Sequence, residues 1–205
     1  MVIGIIGSGM IGSTVAQLAV KGGHRVLISN SRGPDSLSDL VKELGPNAKA
    51  STVEQAATGD IVVIAIPFRD RESLLKSGLD LRGKIVVDAM NPYAAVGKVM
   101  DLGGRGSAEI VADELPGARV VKAFNTLYYK TLASSARPKG SKDRIVLPLA
   151  SDDDEAKRVV ASFVDSIGYD QFDNGSLVHG RTQEPDTALY NNELTLEQAR
   201  ALTHA

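Results

Sequence analysis

Apolar residues recur along the chain in two rhythms. Short continuous runs, Val2-Ile3-Gly4-Ile5-Ile6, Val26-Leu27-Ile28, Ile61 to Ile66, Lys84 to Ala89, Arg119 to Phe124 and Arg144 to Leu149, are rich in β-branched residues. Such runs read as strands buried on both faces. Between them, apolar positions fall three and four apart: Ile11, Val15, Leu18 and Ala19, then Leu37, Leu40, Val41 and Leu44, and later Ala156, Val159, Val160, Phe163, Val164 and Ile167. These are helical stripes. Weaker signals add a third strand over Ala48 to Ser51, helices over Arg69 to Ser77, Ser107 to Leu115 and Leu127 to Ser134, and a last strand over Gly168 to Asp173. Ser51-Thr52-Val53-Glu54 has the capping-box pattern of a short helix, and Ala94 to Gly106, with four glycines, reads as a loop.

Strands and helices in alternation predict an α/β fold, a Rossmann-like, doubly wound and mostly parallel sheet with helices on both faces. The rhythm dissolves at Ser176, and only Thr195 to Leu202 is helical again. Residues 1–175 are therefore expected to form the domain and 176–205 a short C-terminal appendage. Leu189, Tyr190, Leu194, Leu196 and Leu202 in that appendage need cover, either on the same domain or on the partner of a homodimer.

The first strand turns into the first helix through Gly7-Ser8-Gly9-Met10-Ile11-Gly12, and Gly22-Gly23 stops that helix before the second strand. In this context each glycine has a role. Gly7 permits the tight turn, Gly9 lets a pyrophosphate approach the backbone, and Gly12 lets the helix pack on the sheet. The helix N-terminus then faces the phosphates. A site preferring NAD carries Asp or Glu about 20 residues beyond the glycines to hold the ribose 2′-OH. Here Asn30 is followed by Ser31 and Arg32, a hydroxyl and a guanidinium suited to a 2′-phosphate, so the expected cofactor is NADP(H). The bland reading of Ser29 to Pro34 is a polar turn with one solvated arginine.

Parallel strands place their carboxyl ends on one edge, where ligands bind. That edge adds Ile66, Pro67 and Phe68 after the fourth strand, Asn91 and Tyr93 after the fifth, and Ala123, Asn125 and Thr126 at the end of the sixth. Phe68 is either a cover for the adenosine or a core aromatic. Asn125 is a candidate to hold the nicotinamide carboxamide or a ring carbonyl of the partner. His179 is a second candidate, as a proton donor in a segment folding over the cleft, set against an ordinary surface histidine. His24 lies before the second strand, away from this edge, and His204 in the tail.

Composition narrows the field. A length of 205 residues, 43% of them hydrophobic, fits one α/β domain with an appendage. The net charge of −2 gives no global reason to expect nucleic acid or an anionic membrane as partner. No apolar stretch approaches the ~20 residues that span a bilayer, and a cytoplasmic location is expected. With no cysteine and three scattered histidines, thiolate chemistry is excluded and no metal site is expected. The acid run Asp152 to Glu155 is read as helix capping rather than a magnesium site.

Taken together, these residues resemble the NADP-dependent oxidoreductases of the 8-hydroxy-5-deazaflavin, or coenzyme F420, type. The resemblance is carried by Gly7 to Gly12, Gly23-His24, the Ser31-Arg32 clasp, Pro67, Ala108 to Ala112, Val120 to Ala123, Asp152 to Lys157 and Asp173-Asn174-Gly175. It implies a hydride passed directly between a nicotinamide and a deazaflavin or flavin-like cosubstrate stacked in one cleft. The family often has His-Thr where this chain has Asn125-Thr126, and a longer apolar ending than Thr182 to Ala205. A short-chain dehydrogenase is excluded, because no tyrosine has a lysine four residues on. The alternative in another class is a redox sensor that binds NADP(H) without turnover.

Overall fold

The structure is a computed structural model and describes residues 1–203. His204 lies outside the described residues. The chain runs β1 (Val2–Ile6), α1 (Met10–Lys21), β2 (Arg25–Ser29), α2 (Ser38–Leu44), β3 (Ala48–Ala50), α3 (Val53–Ala56), β4 (Ile61–Ile64), α4 (Arg71–Leu75) and β5 (Ile85–Asp88). It continues through β6 (Tyr93–Ala95), β7 (Lys98–Val99), α5 (Ser107–Glu114), β8 (Arg119–Lys122), α6 (Tyr129–Ser134), β9 (Val146–Leu149), α7 (Asp154–Ser166), β10 (Asp170–Asp173) and α8 (Leu196–Thr203).

Six of these strands form one parallel sheet in the order β3-β2-β1-β4-β5-β8. The order reverses between β1 and β4, and this switch point opens a crevice at the carboxyl ends of the strands. β4 and β5 are buried at every position, as the apolar runs Ile61 to Ile64 and Ile85 to Val87 require, and Asp88 at the end of β5 is buried with them. One face of the sheet packs Val15, Leu18 and Ala19 of α1 and Val160, Phe163 and Val164 of α7; the other packs Ala56, Ala108 and Val111 of α3 and α5. The stripe expected on α7 is the one that is buried, with Phe163 fully enclosed.

Four local expectations need correction. The seventh and eighth strands do not extend the parallel ladder. β9 and β10 pair with each other, and β9 meets the sheet edge only through an antiparallel bridge, Ala150 to Lys122. Pro148 in β9 lacks an N–H, which suits a strand with little partnership on one side. Within Ala94 to Gly106, β6 and β7 form a small hairpin turning at Val96-Gly97, where Gly97 takes φ 69°. The capping box is Thr52 with Gln55, one residue later than expected, because Ser51 still donates its N–H to Ile28 of β2. The helix expected over Asp35 to Leu44 begins as a 3-10 turn, Pro34–Leu37, before α2.

Beyond β10 the chain forms a 3-10 helix, Leu177–Gln183, and then a strap fastened to its own domain. Glu184 accepts from Ser107 N at 2.6 Å, and with Glu109, which accepts from Gly106 N at 2.7 Å, it caps α5. Asn191 N donates to Thr126 O at 2.6 Å, and Val146 N to Leu194 O at 2.8 Å. Leu189 and Ala199 are buried against Val146 and Phe172, with Leu194 and Leu196 beside them. The apolar residues of the strap thus find their cover within the chain, apart from Leu202, which stays 46% exposed.

Candidate functional site

The glycine turn leaves β1 at the switch point, and its three glycines differ in what constrains them. Gly7 has φ 113°, and a Cβ there would lie 2.3 Å from Ala65 O. A Cβ on Gly12 would lie 1.9 Å from Gly7 O. Both are demanded by the chain's own packing. A Cβ on Gly9 would meet no atom within 4 Å. Nothing in the protein requires that position to be bare, so the space over Gly9 is open to something the chain does not supply. Gly9 is also the N-cap of α1, with no side-chain cap and no acidic residue in the first turn, leaving the helix's first N–H groups available to an anion.

Two chambers flank this turn and share Gly9, Ala65, Ile66, Pro67 and Arg69 as a saddle. The first, a cleft of about 930 Å³, is lined by Ser8, Asn30, Ser31 and Arg32 on one side and by Glu54, Asp70 and Ser73 on the other. Asn30 organises its polar side. Its Oδ1 accepts from Arg32 N at 2.9 Å, and its Nδ2 donates to Ser8 Oγ at 3.1 Å and to Ser36 Oγ at 3.0 Å. Asn30 therefore shapes the turn through contacts within the chain. Arg32 is exposed, and its guanidinium makes no hydrogen bond or ion pair among the described residues.

The second chamber, about 610 Å³, is largely apolar and aromatic. Met10 and Ile11 of α1 form one wall, Met90, Asn91 and Tyr93 another, and Asn125, Leu127, Tyr128 and Tyr129 a third. Tyr190 closes it from the strap, its phenol oxygen 3.1 Å from that of Tyr93. Burial raises the Tyr190 phenol above its ordinary pKa, and the Tyr93 contact adds to the shift.

A buried ion pair lies behind the chamber. Lys122 Nζ is 2.9 Å from Asp88 Oδ2 and also donates to Met90 O and Ser107 Oγ, while Asp88 Oδ1 accepts from Met90 N. Both charged side chains are fully enclosed. Together they fix the Met90 peptide groups on both sides, and with them the approach to Asn91. Phe124 takes φ 63°, an outlier for a bulky residue, while packed against Phe163 at 5.9 Å between ring centroids. This kink comes immediately before Asn125.

Of the residues expected at the site, Gly7, Ser8, Gly9, Met10, Ile11, Asn30, Ser31, Arg32, Ile66, Pro67, Asn91 and Asn125 line the two chambers. Phe68 also borders the second chamber, as a fully buried core aromatic with the Arg71 guanidinium 4.0 Å from its ring centroid. Gly12 borders neither chamber, and others do not face the cleft as expected. Ala123 is enclosed in the core, and Thr126 is buried outside both chamber linings. His179 is exposed on the 3-10 helix, beside Ser176, while Gly180 packs against Lys122 and Ala108 near α5. It does not reach the cleft.

Arg69, Met90, Leu127, Tyr128, Tyr129 and Tyr190 were not among the expected residues. Continuing the sixth strand's end by three residues past Thr126 finds Leu127, Tyr128 and Tyr129; no local signal marks Tyr190.

The acid run before α7 acts as a cap and an ion pair. Asp153 accepts from Ala156 N at 2.8 Å and pairs with Arg119 at 2.6 Å, and the guanidinium holds its carboxyl well below the usual carboxylate range. A separate cleft of about 820 Å³ near α7 is a field of ion pairs, including Arg144 with Asp165 at 2.7 Å and Lys157 with Asp173 at 2.8 Å. No helix among the described residues is long and apolar enough to cross a membrane.

Residues 2–92 match the family described as NADP oxidoreductase, coenzyme F420-dependent, a span that includes the glycine turn and reaches Asn91. Over the whole molecule, the chain is 38% identical to a hypothetical protein of Sinorhizobium meliloti, with a TM-score of 0.85 and 93% of each chain covered. A protein of Arthrobacter sp. FB24, proposed as an F420-dependent NADP reductase, is 24% identical, with a TM-score of 0.77 and coverage of 95% of this chain and 98% of that one. A reductive aminase of Aspergillus terreus in complex with NADPH shares the fold at 17% identity and a TM-score of 0.61, with 88% of this chain and 57% of the aminase covered. The fold these comparisons share with the chain is Rossmann-like.

Proposed function

Starting from a chain that belongs, through residues 2–92, to the coenzyme F420-dependent NADP oxidoreductase family, we propose that it transfers a hydride between NADPH and a flavin or deazaflavin cosubstrate. The observation that carries this reading is the bare position at Gly9. It is the one glycine of the turn whose lack of a side chain the protein's own packing does not need, and it lies on the saddle between a polar and an aromatic chamber.

In this reading the turn and the N-terminus of α1 hold the pyrophosphate. Ser8, Ser31 and the unpaired Arg32 take the 2′-phosphate, which selects NADP(H) over NAD(H). The nicotinamide, when bound, supplies the hydride. The walls of the second chamber exclude water and set one ring face against another, and such positioning supplies most of the acceleration when the chemistry belongs to the rings. A planar aromatic cosubstrate suits a chamber lined by Tyr93, Tyr128, Tyr129 and Tyr190.

A homodimer and a cytoplasmic location belong to the same proposal. The dimer now rests on Met10, Val96 and Tyr128, exposed at 64%, 105% and 51% at the mouth of the second chamber, rather than on the strap. Light scattering at micromolar concentration tests it, and a monomer removes it.

The direct test of activity is NADPH oxidation with a deazaflavin or FMN as acceptor, beside a titration of NADPH alone. Turnover with either acceptor supports the proposal. Tight NADPH binding with no turnover by either acceptor overturns it in favour of an NADP(H)-binding redox sensor.

A further inference from the structure

Asn125 lines the second chamber and is 3% exposed. Its amide nitrogen donates to Asn91 Oδ1 at 3.0 Å and to Gln183 O at 2.7 Å. A primary amide has two hydrogens, so both are committed within the chain. The amide cannot be turned over. Its oxygen would then face two acceptors, because Gln183 O is a carbonyl and Asn91 is oriented by its own Nδ2 donating to Asn125 O at 2.7 Å.

Asn125 Oδ1 is left as a buried acceptor with no partner. Thr126 Oγ1 and both amide atoms of Gln183 are also buried without a partner among the described residues, so this corner holds several polar groups that the chain leaves unmet. A buried amide oxygen without a donor carries an uncompensated desolvation cost, and native structures seldom leave one unless a ligand or water completes it.

We propose that Asn125 is a specificity-determining residue that accepts a hydrogen bond from an N–H donor of the ring system bound in the second chamber, and that it cannot serve a ring carbonyl. The proposal rests on the dinucleotide reading given above. It reverses one of the roles expected from sequence, in which Asn125 could donate to a carbonyl. Two sources offer this chemistry, the carboxamide of the nicotinamide and an imide N–H of the cosubstrate.

The test uses the wild-type protein first. NADPH is titrated beside its 3-acetylpyridine analogue, which keeps the carbonyl and replaces the amide nitrogen by a methyl group. FMN is titrated beside its N3-methyl derivative in the presence of NADP. We expect one of the two altered probes to bind roughly tenfold more weakly than its parent, about 1.4 kcal/mol. Which probe is affected identifies the source of the donor. In Asn125→Ala that difference is expected to disappear, with folding checked by thermal melting.

Normal affinity of the wild type for both altered probes overturns the inference without needing any variant. Discrimination that survives in a folded Asn125→Ala protein overturns it as well. If NADPH itself does not bind the wild type, the dinucleotide reading fails first. If NADPH binds and neither altered probe is discriminated, only the role of Asn125 falls.

Discussion

The two chambers share a saddle yet are built in opposite ways. The first takes all its walls from residues 6–77, and the side that bears Arg32 from the first thirty-two. Its groups are ordered by contacts within one βαβ unit, such as Asn30 to Ser8 and Arg32. The second gathers side chains from α1, the end of β4, the end of β5 with its hairpin, the segment after β8, and the strap as far as Tyr190. Its key contacts join residues far apart in sequence, Asn125 with Gln183 and Tyr93 with Tyr190. A locally built chamber can select its ligand by charge with little dependence on the rest of the fold. A chamber built from remote pieces selects by shape and hydrogen bonding, and it inherits the stability of everything that holds the pieces.

That contrast can be broken by experiment. The largest expected effect is at Gly9, where Gly9→Val should abolish binding of NADPH and NADH alike in a protein that still folds, since a Cβ there meets no protein atom within 4 Å. Retained affinity on titration would remove the first chamber's assignment. Next comes Lys122→Met, which strands the Asp88 carboxylate in the core and should cost about 3–5 kcal/mol in urea unfolding. If the second chamber depends on the global fold as described, cosubstrate binding should fall with it. An unchanged unfolding midpoint would show that the pair is not structural.

A smaller effect is expected from Arg32→Ala, a loss of roughly 1.5–3 kcal/mol for NADPH with NADH scarcely changed. Equal losses for both cofactors would place Arg32 away from the 2′-phosphate. The smallest effect concerns His24, whose ring contacts Ser166 Oγ at 2.8 Å and meets Phe163 edge-on. Burial lowers its pKa below the ordinary 6.5, and the positive amino terminus lowers it further. The unfolded chain therefore binds the proton more readily. Stability should be full above about pH 6.5 and decline as pH falls through that value toward the folded pKa. Melting curves of the wild type and His24→Gln across this range check it, and the variant should show the shallower decline.

The same contrast explains what could be read from sequence. The glycine turn, α1 and the apolar strands were legible because each is fixed by neighbours in sequence and by burial on both faces. The direction of β9 was not, since an apolar run such as Ile145-Val146-Leu147 has no polarity, and its antiparallel bridge to Lys122 depends on where the chain returns. The Val96-Gly97 hairpin lacks the usual Asn-Gly or Asp-Gly signal. Asn125 could be placed at the ligand edge by counting strand ends. Whether it donates or accepts was decided by a backbone carbonyl 58 residues away. His179 was misplaced for a related reason: the small Gly180 after it lets the 3-10 helix lie against Lys122 and Ala108 rather than over the cleft.

The strap also gives the molecule an order in time. A ribosome extends a chain at about 5–20 residues per second, and Tyr190 lies 97 residues after the Tyr93 it must meet, an interval of roughly 5–20 s. Every wall of the first chamber has been synthesised by Ser77. During elongation the chain thus has all the residues of the first chamber well before it has those that close the second. Nascent chains arrested before and after Tyr190 should differ in their affinity for FMN, and equal affinity would show that the strap is not needed to complete the chamber.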